Sequence, residues 1–194
     1  MPKTDPAREA LLTALEASGV SIPLWDGILI EETVRIAPGA TILPGCVLRG
    51  NTTIAAGSVI GPGSVLTDAV IGKNCTVKNT YITESTLEEN VSIGPFSQVR
   101  PGCHIAAGCK IGDFVEVKNS HIGQKTAIAH LTYVGDTDCG SGVNFGCGVA
   151  IANFNGKEKF RTTIGDNAFL GCNTNLVAPV TIGAGAYTAA GATV

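Results

Sequence analysis

Arg100 and Lys118 stand eighteen residues apart, and Glu116 and Tyr133 seventeen, with His130 three positions before Tyr133. If the chain winds with that interval, each pair comes to lie side by side. Two stacked cations can grip an anion such as a phosphate through charge-assisted hydrogen bonds. Equally, they can be separate solvated charges on a screened face. A histidine near Glu116 can be oriented and tuned as a general base close to neutral pH, whereas a lone one is as readily a packed or exposed side chain. Asn144 and Asn153, taken alone, read as turn residues.

What must position these groups is a six-residue repeat. From Ile36 an aliphatic residue recurs at every sixth position, through Ile42, Leu48, Ile54, Ile60 and Leu66. After a five-residue step it continues at Ile71 and Val77, then more loosely at Ile82 and Leu87. The register is clear again from Ile93 to Val117, at Ile122, Ile128 and Val134, and from Ile164 through Leu170, Leu176 and Ile182 to Thr188. A short strand with one inward aliphatic and one small inward residue cannot bury its face alone. Three such strands joined by tight corners make a coil, and stacked coils bury a continuous aliphatic ladder. The period therefore predicts a parallel β-helix, with Gly and Asn supplying positive φ at the corners. Equivalent positions should stack at eighteen residues, or seventeen where one step is short. Cys46, Cys75, Cys103 and Cys109 fall at the small inward position and read as buried, reduced fillers.

Residues 1–30 are expected to be a helix and lead-in, and residues 31–194 the repeat domain. Asp5 can cap a helix over Asp5–Ser18, Pro6 suits its first turn, Leu11, Leu12 and Leu15 share a face, and Gly19 can end it. Its expected role is to cover an open end of the solenoid. The second departure from the repeat is a polar, basic insertion at 153–163, a usual place for a binding site on a rigid scaffold.

Composition agrees with a small-residue β protein. The 194 residues are 44% hydrophobic but only 15% charged, with 25 glycines and 5% aromatics, which excludes disorder and a large aromatic core. A net charge of −3 and a pI near 5.6 argue against a nucleic-acid partner. No apolar run is long enough to span a bilayer. Met1–Asp5 lack the apolar core of a secretion signal, so a cytoplasmic location is expected. Seven cysteines are an odd number in a chain too long for a disulfide scaffold, and the absence of any CxxC argues against a metal cluster.

Three segments, Ile93-Gly-Pro-Phe-Ser-Gln-Val-Arg-Pro-Gly102, Gly112-Asp-Phe-Val-Glu-Val-Lys118 and His130-Leu-Thr-Tyr-Val-Gly-Asp136, closely resemble one family. It is the acetyltransferase half of the bifunctional N-acetylglucosamine-1-phosphate uridyltransferase / glucosamine-1-phosphate acetyltransferases. The likeness runs on through Asn144, the Asn153 loop and Leu176–Gly183, covering roughly residues 20 to 194. The resemblance implies an all-β fold, a left-handed parallel β-helix of hexapeptide repeats with a short N-terminal helix and one loop insertion. It also implies a homotrimer with active sites between subunits. The implied reaction is acetyl transfer from acetyl-CoA to the amine of glucosamine-1-phosphate or a close relative, with no metal required. His130 would be the general base, supported by Glu116. Arg100 and Lys118 would hold the sugar phosphate, with Tyr133, Asn144, Asn153, Phe154 and Lys159 as further substrate contacts. Cys147, Cys172 and Ala190 would line the acetyl-CoA site. Phe154 replaces the family's usual Tyr, and Cys172 its usual Ser. In that family the chain runs on past the counterpart of Val194 into an arm that contributes to acetyl-CoA binding and trimer contacts.

The residues ahead of Ile36 are too few for a nucleotide-binding α/β domain and carry no glycine-rich phosphate loop. The uridyltransferase half is therefore expected to be absent from this sequence. Two other readings compete with acetyl transfer. One is a non-catalytic or weakly active solenoid binding a sugar phosphate or sugar nucleotide. The other, a metal hydratase, needs three converging histidines. His104, His121 and His130 were the only candidates, and by the repeat they occupy different positions and should point in different directions.

Overall fold

A computed structural model describes residues 5–194. The first four residues, on which the expectation of no secretion signal largely rests, lie outside the described ones. No described helix is long and apolar enough to cross a membrane.

The chain is a left-handed parallel β-helix of three nine-stranded sheets, with all neighbouring strands parallel. Each sheet is one side of a triangular prism. The first face runs from Leu29–Ile30 to Asn175–Val177, the second from Arg35–Ile36 to Val180–Ile182, and the third from Thr41–Ile42 to Tyr187–Thr188. Most strands are two or three residues long, because only one aliphatic side chain per strand turns inward before the chain must bend. Leu48, Leu66, Ile82, Val99, Val117 and Val134 stack this way up the first face, all fully buried. Along most of the ladder, partners on successive coils are separated by 16, 17 or 18 residues.

The second inward position is taken by small or β-branched residues, Ala and Val at some steps and Ser, Thr or Cys at others, and several of the polar ones bond between coils. Ser58 Oγ donates to Gly72 O at 2.7 Å and accepts from Cys75 N at 3.0 Å. Cys109 Sγ donates to Gly123 O at 3.1 Å. Cys46, Cys75, Cys103 and Cys109 are all buried and reduced.

The ladder also continues where the sequence pattern breaks. Cys139 pairs with Ile122 and Ile164, Phe145 with Ile128 and Leu170, and Ile151 with Leu176. A cysteine and a phenylalanine take aliphatic places in this coil, which hides it from an aliphatic count. The coil is long, with partners 25 residues apart across it. The excess residues form a small hairpin, in which Phe154 and Lys159 make an antiparallel bridge and Phe160 N donates to Asn153 O at 2.9 Å.

The helix spans Pro6–Ala17. Its N-cap is Asp5, whose carboxylate accepts from Ala7 N, and the C-cap is Ser18, followed by Gly19 at φ +96. Leu12 is buried and Leu15 packs against the core. Arg8 Nε donates to Ile28 O at 2.8 Å and Arg8 also bonds Trp25 O, tying the helix across the first coil.

Candidate functional site

The corner where the third face turns into the first carries a column of side chains. Asp113 and His130 pair in register. Above them, Gly148 N donates to His130 O, Asn173 N to Cys147 O and Gly191 N to Cys172 O. Those bonds put Asp113, His130, Cys147, Cys172 and Ala190 at one position on five successive coils. His130 Nδ1 lies 2.7 Å from Asp113 Oδ1. An ionised carboxylate only accepts, so Nδ1 carries the hydrogen, and in the neutral ring Nε2 is left as the basic nitrogen. Hydrogen bonding to His130 holds the Asp113 carboxyl below the usual carboxylate range.

Glu116 does not support His130 here. It sits on the outer side of the first face in register with Tyr133, and its carboxylate takes Arg100 Nη1 at 2.8 Å. The physical reason is position: Asp113 occupies the corner directly below His130, whereas Glu116 belongs to the flat of the prism. The hydrogen bond that Arg100 donates to Glu116 raises the guanidinium pKa above its usual value.

The opposite corner, where the first face turns into the second, holds a denser cluster centred on Asp136. Lys118 Nζ lies 3.1 and 3.3 Å from the two Asp136 oxygens, and Asn119 and Asn153 both donate to the same carboxylate. Asn153 Nδ2 also reaches Tyr133 Oη at 3.4 Å. Burial pushes Asp136 up, but the bonds from Asn119, Lys118 and Asn153 outweigh it and leave its pKa lowered. Burial likewise works against the Lys118 ammonium, and Asp136 reverses the balance and raises it. The side chain of Lys159, on the hairpin, lies beside that of Lys118. Arg161, at the hairpin's return, makes a two-pronged pair with Asp138 at 2.6 and 2.8 Å and donates to Asn119 O.

The stacked cations thus each have their own carboxylate, Glu116 for Arg100 and Asp136 for Lys118. Their repulsion needs no bound anion to relieve it. Among the described residues Lys159 has no carboxylate within ion-pair distance, and Phe154 beside it is exposed.

The first face and its two edges therefore gather His130, Cys147, Cys172 and Ala190 on one side, Glu116 and Tyr133 between, and Arg100, Lys118, Asn153, Phe154 and Lys159 on the other. Asn144 stands apart, pointing outward on the third face between Ala127 and Phe169. Asp113, Asp136, Asp138 and Arg161 were missed by sequence reasoning. The signal for Asp113 was present, since the seventeen-residue step that stacks Glu116 on Tyr133 also stacks Asp113 on His130.

The histidines need a second correction. His104 and His121 occupy the same repeat position, pair in register on the second face, and meet edge to face at 6.3 Å. Only His130 lies elsewhere. His104 meets Glu88 at 3.0 Å, and His121 meets Asp138, which Arg161 also engages, at 3.3 Å. Among the described residues no three His, Cys, Asp or Glu side chains converge as metal ligands would. A groove of about 920 Å³ lies far from these corners, between the helix and the first coil, lined by Arg8, Leu11, Trp25 and Leu29.

Comparison with known proteins points the same way as the repeat. The family described as Bacterial transferase hexapeptide (six repeats) matches residues 33–68, 84–119 and 161–194. The Bifunctional protein GlmU of Acetivibrio thermocellus is 46% identical over 187 residues, 96% of this chain and 41% of that protein. Its namesake in Clostridium acetobutylicum is 48% identical over 169 residues, 87% of this chain and 37% of its own. The chain spans about two fifths of the length of these curated relatives. Among solved structures, the UDP-N-acetylglucosamine acyltransferase of Francisella novicida is 21% identical, with a TM-score of 0.41, over 86% of this chain and 60% of that one.

Proposed function

Because the chain belongs to the bacterial transferase hexapeptide family, we propose that it transfers an acetyl group from acetyl-CoA to the amine of glucosamine-1-phosphate or a near relative. The observation that carries this reading is the His130–Asp113 pair at one edge of a face whose other edge is lined with amide and cationic donors. The high identity to bifunctional GlmU proteins supports the choice of reaction.

The amine must be neutral to attack the thioester. As its nitrogen bonds to the acetyl carbon, its surplus proton passes to His130 Nε2, and the carbon–sulfur bond breaks. The departing CoA sulfur then takes that proton from the imidazolium. Asp113 keeps the ring in the one tautomer that leaves Nε2 free, and it faces the charge that forms. Lys118, Arg100 and Lys159 serve the phosphate, with Lys159 the one available without displacing a carboxylate. Tyr133 and Asn153 offer hydroxyl and amide partners to the sugar. Cys147, Cys172 and Ala190, higher on the His130 corner, line the path of acetyl-CoA. A rigid prism holds both substrates at fixed separation.

The site is an open surface on one protomer, and a homotrimer closes it. Support comes from Phe96, Phe114 and Leu131, which follow the His130 column and are all exposed, at 56%, 56% and 60%. Phe96 and Phe114 stack at 5.5 Å. All three adopt positive φ, at 58°, 55° and 47°. For bulky residues this costs on the order of 1–2 kcal/mol each, an unrewarded strain unless the ladder packs against something.

The test is formation of N-acetylated sugar phosphate from acetyl-CoA and glucosamine-1-phosphate. The rate should fall by about 10²-fold or more in His130→Ala, while circular dichroism is unchanged. Undiminished turnover by that variant removes His130 as the base. Sugar-phosphate binding with no turnover at any pH favours a purely binding role instead.

A further inference from the structure

Five of the seven cysteines are buried, at Cys46, Cys75, Cys103, Cys109 and Cys139. Burial pushes the thiols of the first four up, and that of Cys139 up to about 12. Such groups stay as inert thiols. Cys147 is half-buried and Cys172 exposed, and these two are neighbours. The strands that precede them pair in register, Asn144 with Phe169 and Phe145 with Leu170. The register holds past the strands: Asn173 N donates to Cys147 O at 2.8 Å, and a Cβ placed on Gly146 would meet Cys172 N at 2.5 Å. The insertion lies on a different corner and does not separate them.

Side-by-side coils are about 4.8 Å apart, within the roughly 4.4–6.8 Å between Cα atoms that a disulfide spans. Lower in the same column, Asp113 and His130 touch across one such step, so side chains at this position do reach their neighbours.

We propose that Cys147 and Cys172 form a reversible dithiol–disulfide couple, oxidised by a small-molecule disulfide. The exposed Cys172 thiolate attacks one sulfur of the small disulfide, forming a mixed disulfide and releasing one small thiolate. The Cys147 thiolate then attacks Cys172 Sγ, forming the intrachain bond and expelling the second. Two electrons leave the protein dithiol, the oxidant becomes two thiols, and the protons of Cys147 and Cys172 go to them through solvent. The bond would stand one coil above His130. That it would then obstruct acetyl-CoA rests on the functional reading above, whereas the couple itself does not.

The reduced, folded protein should be treated with oxidised glutathione, then unfolded, alkylated and mapped by peptide mass. The expected product is a linked Cys147–Cys172 pair, with the other five cysteines alkylated. Cys147→Ser and Cys172→Ser should each give only a glutathione adduct on the remaining thiol, with circular dichroism verifying their fold. Glutathione on both cysteines at once, both recovered free, or a bond between two chains would overturn the couple. Product formation by the oxidised protein should fall at least tenfold and return with dithiothreitol. A linked pair with an unchanged rate would leave the couple standing and overturn the assignment of this corner to acetyl-CoA.

Discussion

Removing the Asp136 carboxylate would leave Lys118, Asn119 and Asn153 without the acceptor that gathers them. Lys118 and Asp136 side chains are only 17% and 7% exposed, so the change should cost about 3 kcal/mol, the low end for a broken buried pair. The folded pKa of Asp136 is depressed, so its contribution is complete above the unfolded aspartate range, about pH 4. It is lost as pH falls through the folded value. Urea titrations between pH 7 and 3 should therefore show Asp136→Asn less stable than the parent near neutrality, with the gap closing in acid. A gap that persists in acid would mean the carboxylate's charge is not what stabilises the corner. At the other edge, Asp113→Asn should lower kcat roughly tenfold while leaving KM for the sugar phosphate alone, a smaller loss than a buried triad carboxylate gives because this pair is exposed. Lys159→Ala should do the opposite, raising KM about tenfold with kcat retained, as loss of one charge-assisted phosphate contact would. Steady-state kinetics of the two variants separates the roles, and identical profiles would undo the division between edges.

Among elements, the tight stacking of coils makes particular backbones irreplaceable. A Cβ on Gly112 would run into Ala129 O and Ala129 Cα of the next coil, just where Asp113 and His130 must align. Gly112→Ala should destabilise by about 1–3 kcal/mol as an overpacked site does. It should also reduce acetyl transfer more than the stability loss explains, because the column would be shifted. A thermal melt beside an activity assay decides, and an unaltered melting temperature would show that the coils can part. The sequence made the aliphatic ladder readable because Ile, Leu and Val recur at a fixed interval and no other element shares it. It hid the coil of Cys139, Phe145 and Ile151, where two residue types depart from the pattern and a hairpin breaks the count. Stacked pairs such as Glu116–Tyr133 were legible for the same reason as the ladder. Which carboxylate meets which base was not, since Asp113 and Glu116 differ by three positions and only the corner geometry separates them. Asp136 escaped notice because its partners arrive from the coil below, at Lys118 and Asn119, and from the start of the insertion, at Asn153.

For the whole molecule, stability is shared between neighbouring coils rather than held in one centre, which makes the covered end important. Leu12 is 1% exposed and lies with Val20, Ile22 and Ile28 in the apolar cluster at that end. Leu12→Ala should cost about 2–4 kcal/mol and fray the first coil before the rest, visible as early hydrogen exchange at Ile28 and Leu29. Uniform exchange along the chain would argue instead for one cooperative unit. The hairpin between Asn153 and Phe160 leaves the pairing of Cys139 with Ile164, Phe145 with Leu170 and Ile151 with Leu176 intact. If the proposed roles of the two edges hold, acceptor choice and chemical competence can be altered separately, as the bit of a key is recut without touching its shaft. Grafting a relative's hairpin at this bend would be a route to new acceptors that keeps the same proton-handling apparatus.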